Sequence, residues 1–253
     1  MGALDNPEAH WPAVELAATG TPVLSVDYRL CLDGVHYPAP QDDVLTAWRW
    51  ASTHADQLGV QAEQLHLGGG SAGGCLVAGA ALRLRDAGEV LPASLFLGYP
   101  VLQATMPPAT PEAAAALDTR DLVSDQWVRD MVSNWAGPTA QDDPYVSPGL
   151  ADVAGLPPTY VLTCGRDILR RCSEPFVERL RAADVSVWHD LLPESEHAPL
   201  NRPGTPDGER ALRRLKTWLE GGLPAMAAEA CPVIGTGAAS FAPQARARRP
   251  SRG

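Results

Sequence analysis

The stretch that decides the fold of this chain is Leu65-His66-Leu67-Gly68-Gly69-Gly70-Ser71-Ala72-Gly73-Gly74. An alternating apolar run stops at glycines around one serine and gives way to helix-forming residues, which predicts a strand, a tight turn and a helix. Gly69 and Gly73 take the two glycine positions of a G-x-S-x-G turn, where we expect a bulkier residue to clash. Such a turn holds the Ser71 hydroxyl on strained backbone at the sheet edge, beside helix amides. The stretch therefore predicts a nucleophile elbow suited to acyl transfer.

By itself, G-x-S-x-G is a weak signal in a chain with 23 glycines, because ordinary glycine-rich turns match it by chance. The residues from Cys75 to Leu84 predict a buried helix that ends near Gly88. This helix completes the strand-turn-helix context that the motif requires. The context favours the nucleophile elbow over an ordinary turn.

Length and charge limit the classes of protein that the chain can belong to. Its 253 residues suit one large α/β domain, and the net charge of −10 argues against binding to nucleic acid or anionic membrane. No apolar run approaches the roughly 20 residues of a membrane span, and the first residues lack the pattern of a signal peptide. We therefore expect a cytoplasmic protein with a small-molecule partner. The cysteines show no C-x-x-C spacing and predict buried thiols rather than a zinc site or a disulfide framework: Cys31, Cys75, Cys164, Cys172 and Cys231.

Strand patterns alternate with helix patterns along the chain, which predicts an α/β fold with a mostly parallel, doubly wound sheet. Strands are predicted at 21–28, before Ser71, and at 93–97, 159–164 and 186–192. Helices are predicted at 7–19, 42–58, 75–84, 113–116, 125–135, 173–183 and 207–220. The proline-interrupted segment 100–148 predicts a lid or insertion over a site. The domain is expected to span residues 1–222, followed by a disordered tail rich in Ala, Pro and Arg at 223–253.

A serine nucleophile needs a histidine base within hydrogen-bond reach. His197 lies in a loop after the last predicted strand, at the carboxyl end where parallel sheets place catalytic groups. Its neighbours Glu194 and Glu196 also fit a solvated surface histidine, and only the presence of Ser71 favours the catalytic interpretation. The other histidines lie on predicted helices, within predicted strands or in an early loop: His10, His54, His66, His189 and His36.

The histidine in turn needs a carboxylate to hold its tautomer. Asp167 lies just past the predicted strand 159–164, although its neighbour Arg166 also fits a plain surface ion pair. The chain order Ser71, Asp167, His197 favours the catalytic interpretation because one class of serine hydrolase uses that order. Asp27 and Asp190 are weaker candidates.

With these residues in place, the chain resembles the hormone-sensitive-lipase-like branch of the α/β-hydrolases, a family of carboxylesterases and lipases. The resemblance covers most of residues 1–220. It implies that Ser71 is the nucleophile, Asp167 the acid, His197 the base and the Ala72 amide an oxyanion donor, without a metal or organic cofactor. The matching segments are Val26-Asp27-Tyr28-Arg29-Leu30 (V-D-Y-R-L), Pro38-Ala39-Pro40-Gln41-Asp42-Asp43 (P-A-x-x-D-x), Gly69-Gly70-Ser71-Ala72-Gly73-Gly74 (G-D-S-A-G-G), Tyr145-Val146-Ser147-Pro148 (Y-x-S-P) and Asp167-Ile168-Leu169 (D-x-L).

The chain departs from the family pattern at three places. Gly70 replaces an aspartate before the nucleophile, and Ala198-Pro199 replace the usual Gly-Phe after the base. The family's H-G-G-G strand end, whose glycine amides supply half of the oxyanion hole, does not occur in the sequence. The family places that strand between those matching 21–28 and 65–69, so we expect the chain to be a fragment in which Met1 is an internal residue.

Three functional interpretations follow. The first is a serine carboxylester hydrolase that acts through an acyl-enzyme on a small ester, impaired by the missing oxyanion donors. The second is a binding protein that keeps the pocket for a small ligand without catalysis. The third is an inactive fragment that cannot close its sheet. All three leave the ester and the oligomeric state open.

Overall fold

The computed structural model describes residues 4–117 and 124–230, which form helices around one small sheet. The strands are β1 (Leu67–Gly70), β2 (Leu95–Gly98), β3 (Thr159–Cys164) and β4 (Val187–Leu192). The helices are α1 (Pro7–Ala17), α2 (Ala39–Thr53), α3 (Ala72–Asp86), α4 (Pro111–Ala116), α5 (Asp125–Ala136), α6 (Arg170–Ala182) and α7 (Pro206–Ala230).

The sheet has the order β1-β2-β3-β4 with every neighbouring pair parallel. Helices connect the strands, as parallel pairing requires. The register aligns Gly70 with Gly98 and Gly98 with Leu162. The carboxyl ends of the strands therefore meet at one edge, and the predicted parallel α/β architecture is confirmed.

Two apolar cores cover the two faces of the sheet, because alternate strand residues point to opposite sides. Leu95, Leu97 and Val161 pack on one side against apolar residues of α2, α3 and α6. Phe96 and Tyr160 pack on the other side in a core that includes Leu16 of α1 and three side chains of α7, Leu212, Leu215 and Trp218. The sheet is thus covered by helices on both faces, which is the doubly wound arrangement.

The predicted strand at 21–28 is wrong. The segment pairs with no strand among the described residues, and Val23 and Leu24 are exposed. Backbone N–H and C=O groups in an extended segment need a neighbouring strand for a ladder to form. An apolar, β-branched pattern specifies a propensity for that conformation, but it cannot supply the partner.

The end of the described chain also differs from the prediction. α7 continues beyond residue 222 to Ala230, with a kink at Gly222, where φ is 57° and ψ is −147°. Met226 is fully buried, and Leu223 packs against the α7 side of the core. The predicted disordered tail therefore does not include 223–230, and its remainder lies outside the described residues.

Within the predicted lid segment 100–148, the described part packs against the domain. The Ser124 hydroxyl caps α5 by accepting from the amide of Trp127 at 3.1 Å. Val128 and Val132 of α5 are buried, and Arg171 of α6 forms an ion pair with Asp125 at 2.7 Å. These contacts attach α5 to the core, and the role of the segment as a lid stays a prediction.

The cysteines in the described residues are free thiols, of which Cys75, Cys164 and Cys172 are buried and Cys31 is partly buried. Cys231 lies outside the described residues. Across 4–117 and 124–230, no helix combines the length and apolar character needed to cross a membrane.

Candidate active site

Ser71 occupies the sharp turn between β1 and α3. Its backbone has φ at 54° and ψ at −118°, a conformation that residues other than glycine rarely adopt. The close approach of the strand to the helix explains Gly69, because a Cβ there would lie 2.5 Å from the carbonyl carbon and oxygen of Gly73. The expected clash at Gly73 itself is wrong, since a Cβ at that position meets nothing within 4 Å. Of the two motif glycines, only Gly69 on the strand side is sterically closed.

Hydrogen bonds to β2 and the residues that follow it hold the turn in place. The Ser71 amide donates to the Gly98 carbonyl at 2.8 Å, and the Val101 amide donates to the Ser71 carbonyl at 3.3 Å. The amide and the carbonyl of Ser71 are thereby fixed to β2 and the residues that follow it. The strained conformation persists because this surrounding structure determines it.

The structure brings the three predicted side chains together. Asp167 follows β3 and His197 follows β4, so both reach the same sheet edge as Ser71. The Ser71 Oγ lies 2.9 Å from His197 Nε2, and His197 Nδ1 lies 2.6 Å from Asp167 Oδ2. The second Asp167 oxygen, Oδ1, accepts from the Leu169 amide at 3.0 Å. A continuous hydrogen-bonded series thus runs from the hydroxyl to the carboxylate.

The electrostatics of this series favour a histidine that can take up a proton. Burial lowers the pKa of His197, but its hydrogen bond to Asp167 and the negative charges of Asp167 and Glu8 outweigh burial, so the pKa lies above its usual value of 6.5. The Asp167 side chain is only 1% exposed, whereas that of His197 is 26% exposed. The carboxylate is therefore shielded, and the imidazole remains open to solvent.

The loop that carries His197 is held by Arg202. The Arg202 guanidinium donates to the His197 carbonyl at 2.7 Å and forms an ion pair with Glu196 at 3.0 Å. Ala198 has φ at 59° and ψ at 59°, the left-handed conformation that favours glycine. Glycine, which the family pattern has at this position, would adopt this conformation without the strain that a Cβ adds.

The weaker candidates take no part in this hydrogen-bonded series among the described residues. Asp190 accepts from the Tyr160 hydroxyl at 3.3 Å and forms an ion pair with Arg214 of α7, while Asp27 is exposed on the unpaired segment. His10 is exposed. The remaining histidines each have another partner: His36 with the Asn134 carbonyl, His54 with the Trp50 carbonyl, His66 with Ser94 and His189 with Thr163.

Ala72 begins α3 directly after the serine and is exposed. Its amide belongs to the first turn of a helix, where backbone N–H groups lack intrahelical partners and attract negative charge. A developing oxyanion at Ser71 would lie next to that helix end. The role of the Ala72 amide as an oxyanion donor stays a prediction.

Two residues near the site were not predicted from the sequence. Tyr99, directly after β2, packs its ring edge-to-face with the His197 ring at a centroid distance of 5.2 Å. Its position at a strand carboxyl end was a usable signal. Glu8 of α1 approaches Gly70 and adds negative charge near His197. No local pattern distinguishes this glutamate from an ordinary acid in the first turn of a helix.

Comparison with known proteins agrees with this geometry. The sequence profile of the alpha/beta hydrolase fold family matches residues 2–201. Carboxylesterase NlhH of Mycobacterium tuberculosis is 33% identical over 211 residues, which cover 79% of this chain and 63% of NlhH. Ethyl acetate hydrolase of Pseudomonas putida is 29% identical over 205 residues, which cover 78% of this chain and 61% of that protein.

A solved esterase of Pyrobaculum calidifontis superposes with a TM-score of 0.76 at 27% identity, covering 87% of this chain and 71% of that one. The chain spans less than two-thirds of the length of the two curated relatives named above. The profile match, the parallel sheet and the strand-turn-helix around Ser71 together show that the chain belongs to the α/β-hydrolase family, with carboxylesterases among its relatives.

Proposed function

We propose that the chain is a serine carboxylester hydrolase that acts through an acyl-enzyme. Ser71 Oγ attacks the ester carbonyl while His197 Nε2 takes its proton, and the Ala72 amide donates to the developing oxyanion. The proton then passes from His197 to the alkoxide oxygen as the carbon–oxygen bond to the alcohol breaks. Water attacks the acyl-serine with His197 as base, which releases the acid and restores the Ser71 hydroxyl. Asp167 orients the imidazole and stabilises its cation.

The observation that carries this proposal is the hydrogen-bonded series from Ser71 through His197 to Asp167, at 2.9 and 2.6 Å. Distances of this size allow direct proton transfer without rearrangement of the side chains. The named relatives support an ester as the substrate, and ethyl acetate hydrolase supports a short acyl group. The net charge of −10 argues against an anionic macromolecule as the partner, so a small ester fits the chain. We expect the protein to act in the cytoplasm.

Turnover is the direct test. We expect weak hydrolysis of p-nitrophenyl acetate, because the sequence contains no H-G-G-G segment and one lost oxyanion donor costs about 10²–10³-fold in turnover. Ser71→Ala is expected to reduce the rate to that of the uncatalysed reaction. Ser25→Ala, in the unpaired segment, is the matched control and is expected to leave the rate unchanged. Hydrolysis that survives in Ser71→Ala would contradict the proposed site.

The second candidate function is a binding protein that keeps the pocket for a small ligand without catalysis. The missing H-G-G-G segment favours it, because that segment supplies oxyanion donors that a receptor does not need. A fluorophosphonate probe separates the two candidates, since an activated serine displaces fluoride from phosphorus and becomes covalently labelled. Labelling of the wild type that is lost in Ser71→Ala supports the hydrolase, and absence of labelling supports the receptor.

A further inference from the structure

Two buried oxygen atoms without a hydrogen-bond partner lie next to the residue that precedes the nucleophile. They are Glu8 Oε1 and Tyr99 Oη. A Cβ built at Gly70 would lie 2.7 Å from Glu8 Oε1 and 3.0 Å from Tyr99 Oη. Glycine at position 70 therefore leaves the space that both side chains occupy.

Glu8 lies beside a position at which this chain differs from the family that it resembles. That family has an aspartate at the position of Gly70, directly before the nucleophile. Here the carboxylate at this place comes from α1, 62 residues earlier in the chain. The backbone of Glu8 is tied to the segment after the base, because its amide donates to the Asn201 side-chain oxygen at 3.2 Å.

Tyr99 lies near both this carboxylate and the imidazole. Its side chain is 1% exposed, and its ring meets the His197 ring edge-to-face at 76°. Burial, followed by the charge of Glu8, raises the pKa of Tyr99 well above its usual value. The phenol therefore keeps its proton at every working pH, and its hydroxyl lies near the Glu8 carboxylate.

The charged and titratable groups around His197 come from four places in the chain. Asp167 approaches from the loop after β3, Glu8 from α1, Arg202 from the segment after the base, and Tyr99 from the end of β2. Asp167 and Glu8 stabilise the imidazolium, whereas Arg202 opposes it. Glu8 is thus the second carboxylate of the site.

We propose that Glu8 is a positioning residue of the active site: in the space left by Gly70 it places a carboxylate beside the turn that carries Ser71, and with Tyr99 it stabilises the His197 imidazolium. The proposal rests on the proposed function only for the role of that cation in turnover. The placement of the charge stands independently of activity. Glu8 does not contact the reacting atoms, so it acts through His197 and Tyr99.

The titration of His197, followed by NMR of its ring protons, tests the placement of the charge without requiring turnover. Glu8→Gln keeps the shape and removes the charge, and we expect the pKa of His197 to fall by roughly half a unit. Glu8→Asp keeps the charge and is expected to recover most of that shift. Glu15→Gln is the matched control, because it removes the same charge from α1 where Glu15 pairs with Lys216 at 3.1 Å.

In active enzyme, the same loss of charge has a kinetic signature. A fall of half a pKa unit corresponds to about 0.7 kcal/mol, so kcat of Glu8→Gln is expected to decrease roughly threefold. KM is expected to stay constant, because Glu8 does not contact the substrate. The acid limb of kcat/KM should move to lower pH in Glu8→Gln and remain in place in Glu15→Gln.

A second experiment tests the shared space. Gly70→Asp in the wild type forces a second side chain against Glu8 Oε1 and should lower the midpoint of thermal unfolding. In the Glu8→Ala background the same substitution fills the vacated space, so the decrease should be smaller and the His197 titration should return toward that of the wild type. Additive effects of the two substitutions would contradict the proposal.

The results distinguish this proposal from the proposed function. An unchanged His197 titration in folded Glu8→Gln, or an equal shift in Glu15→Gln, overturns the role of Glu8 even if the enzyme is active. If fluorophosphonate never labels Ser71, the proposed function fails, but the titration still measures the effect of Glu8. Circular dichroism of each variant shows that the fold is retained.

Discussion

Ala198 carries backbone strain that glycine would remove. Its φ of 59° is costly for a side chain with a Cβ, by about 1–2 kcal/mol. Replacement by glycine also increases the freedom of the unfolded chain, which offsets part of the gain. We therefore expect Ala198→Gly to raise the free energy of unfolding by about 0.5–1 kcal/mol, measured by urea denaturation. A lower stability would mean that packing of the Ala198 methyl group outweighs the strain.

The pKa of His197 determines the pH dependence expected of the proposed hydrolase, in which His197 is the base. Because the neighbouring carboxylates raise this pKa above 6.5, His197 remains protonated to a higher pH than an ordinary histidine. A protonated imidazole cannot act as base, so kcat/KM should fall as pH decreases through a midpoint above 6.5. A pH-rate profile between pH 5 and 9 checks the midpoint; a value below 6.5 would contradict the proposed environment.

Asp167→Asn removes the strongest contribution that favours the imidazolium. The amide keeps the volume of the side chain but lacks the charge that fixes the tautomer, so kcat should fall by up to about 10⁴-fold. Asp190→Asn is the control, because Asp190 lies against Tyr160 and Arg214 rather than the site. Asp190→Asn is expected to leave kcat nearly unchanged, even where it lowers the stability of the fold. Equal losses of kcat in both variants would contradict the role of Asp167.

At the scale of secondary-structure elements, a side chain added at each of the two glycines between β1 and α3 is expected to change stability differently. A methyl group at Gly69 would press against the Gly73 backbone, whereas one at Gly73 meets nothing. We expect Gly69→Ala to destabilise the fold by about 2 kcal/mol or more through the shift forced on α3. Gly73→Ala should be neutral or stabilising by up to about 1 kcal/mol, because alanine favours helix.

Urea denaturation of the two variants gives the comparison. Similar losses of stability in Gly69→Ala and Gly73→Ala would show that both sides of the turn are closed. That result would support the expectation, drawn from the G-x-S-x-G pattern, that a bulkier residue clashes at both glycines. The asymmetry is therefore a direct test of the packing between this strand and this helix.

Local sequence patterns predict elements well where the chain supplies their partners. The strand at 159–164 has the predicted bounds because β2 and β4 pair with both of its edges. The segment 21–28 has an equally strong apolar pattern and forms no strand in the described structure. Periodicity reports the preference of a segment, while pairing depends on neighbours elsewhere in the chain.

Hydrogen exchange across the whole molecule should reveal the same contrast. The amides of 23–28 make no ladder, so they should exchange within seconds, as those of exposed loops do. The amides of β3 lie at the centre of the sheet and should be among the most protected. Mass spectrometry of peptic peptides checks both regions in one experiment; strong protection at 23–28 would show that the segment has a partner in solution.

The candidate site was largely predictable because topology, rather than local detail, brings its members together. Parallel strands place their carboxyl ends at one edge, so chain order and position were enough to predict that Ser71, Asp167 and His197 meet there. Glu8 could not be assigned, since its approach to Gly70 depends on how α1 packs across the fold. Tyr99 required knowledge of which face of the strand end turns toward the base.

The site extends across the full width of the sheet, from the serine at the end of β1 to the histidine after β4. Among the described strands, the three groups follow β1, β3 and β4, so in the proposed mechanism we expect a partly folded chain not to activate the serine. Covalent capture of Ser71 by fluorophosphonate therefore reports complete assembly of the domain. During refolding, the appearance of labelled protein would time the last strand-docking step, independently of spectroscopic signals from helix formation.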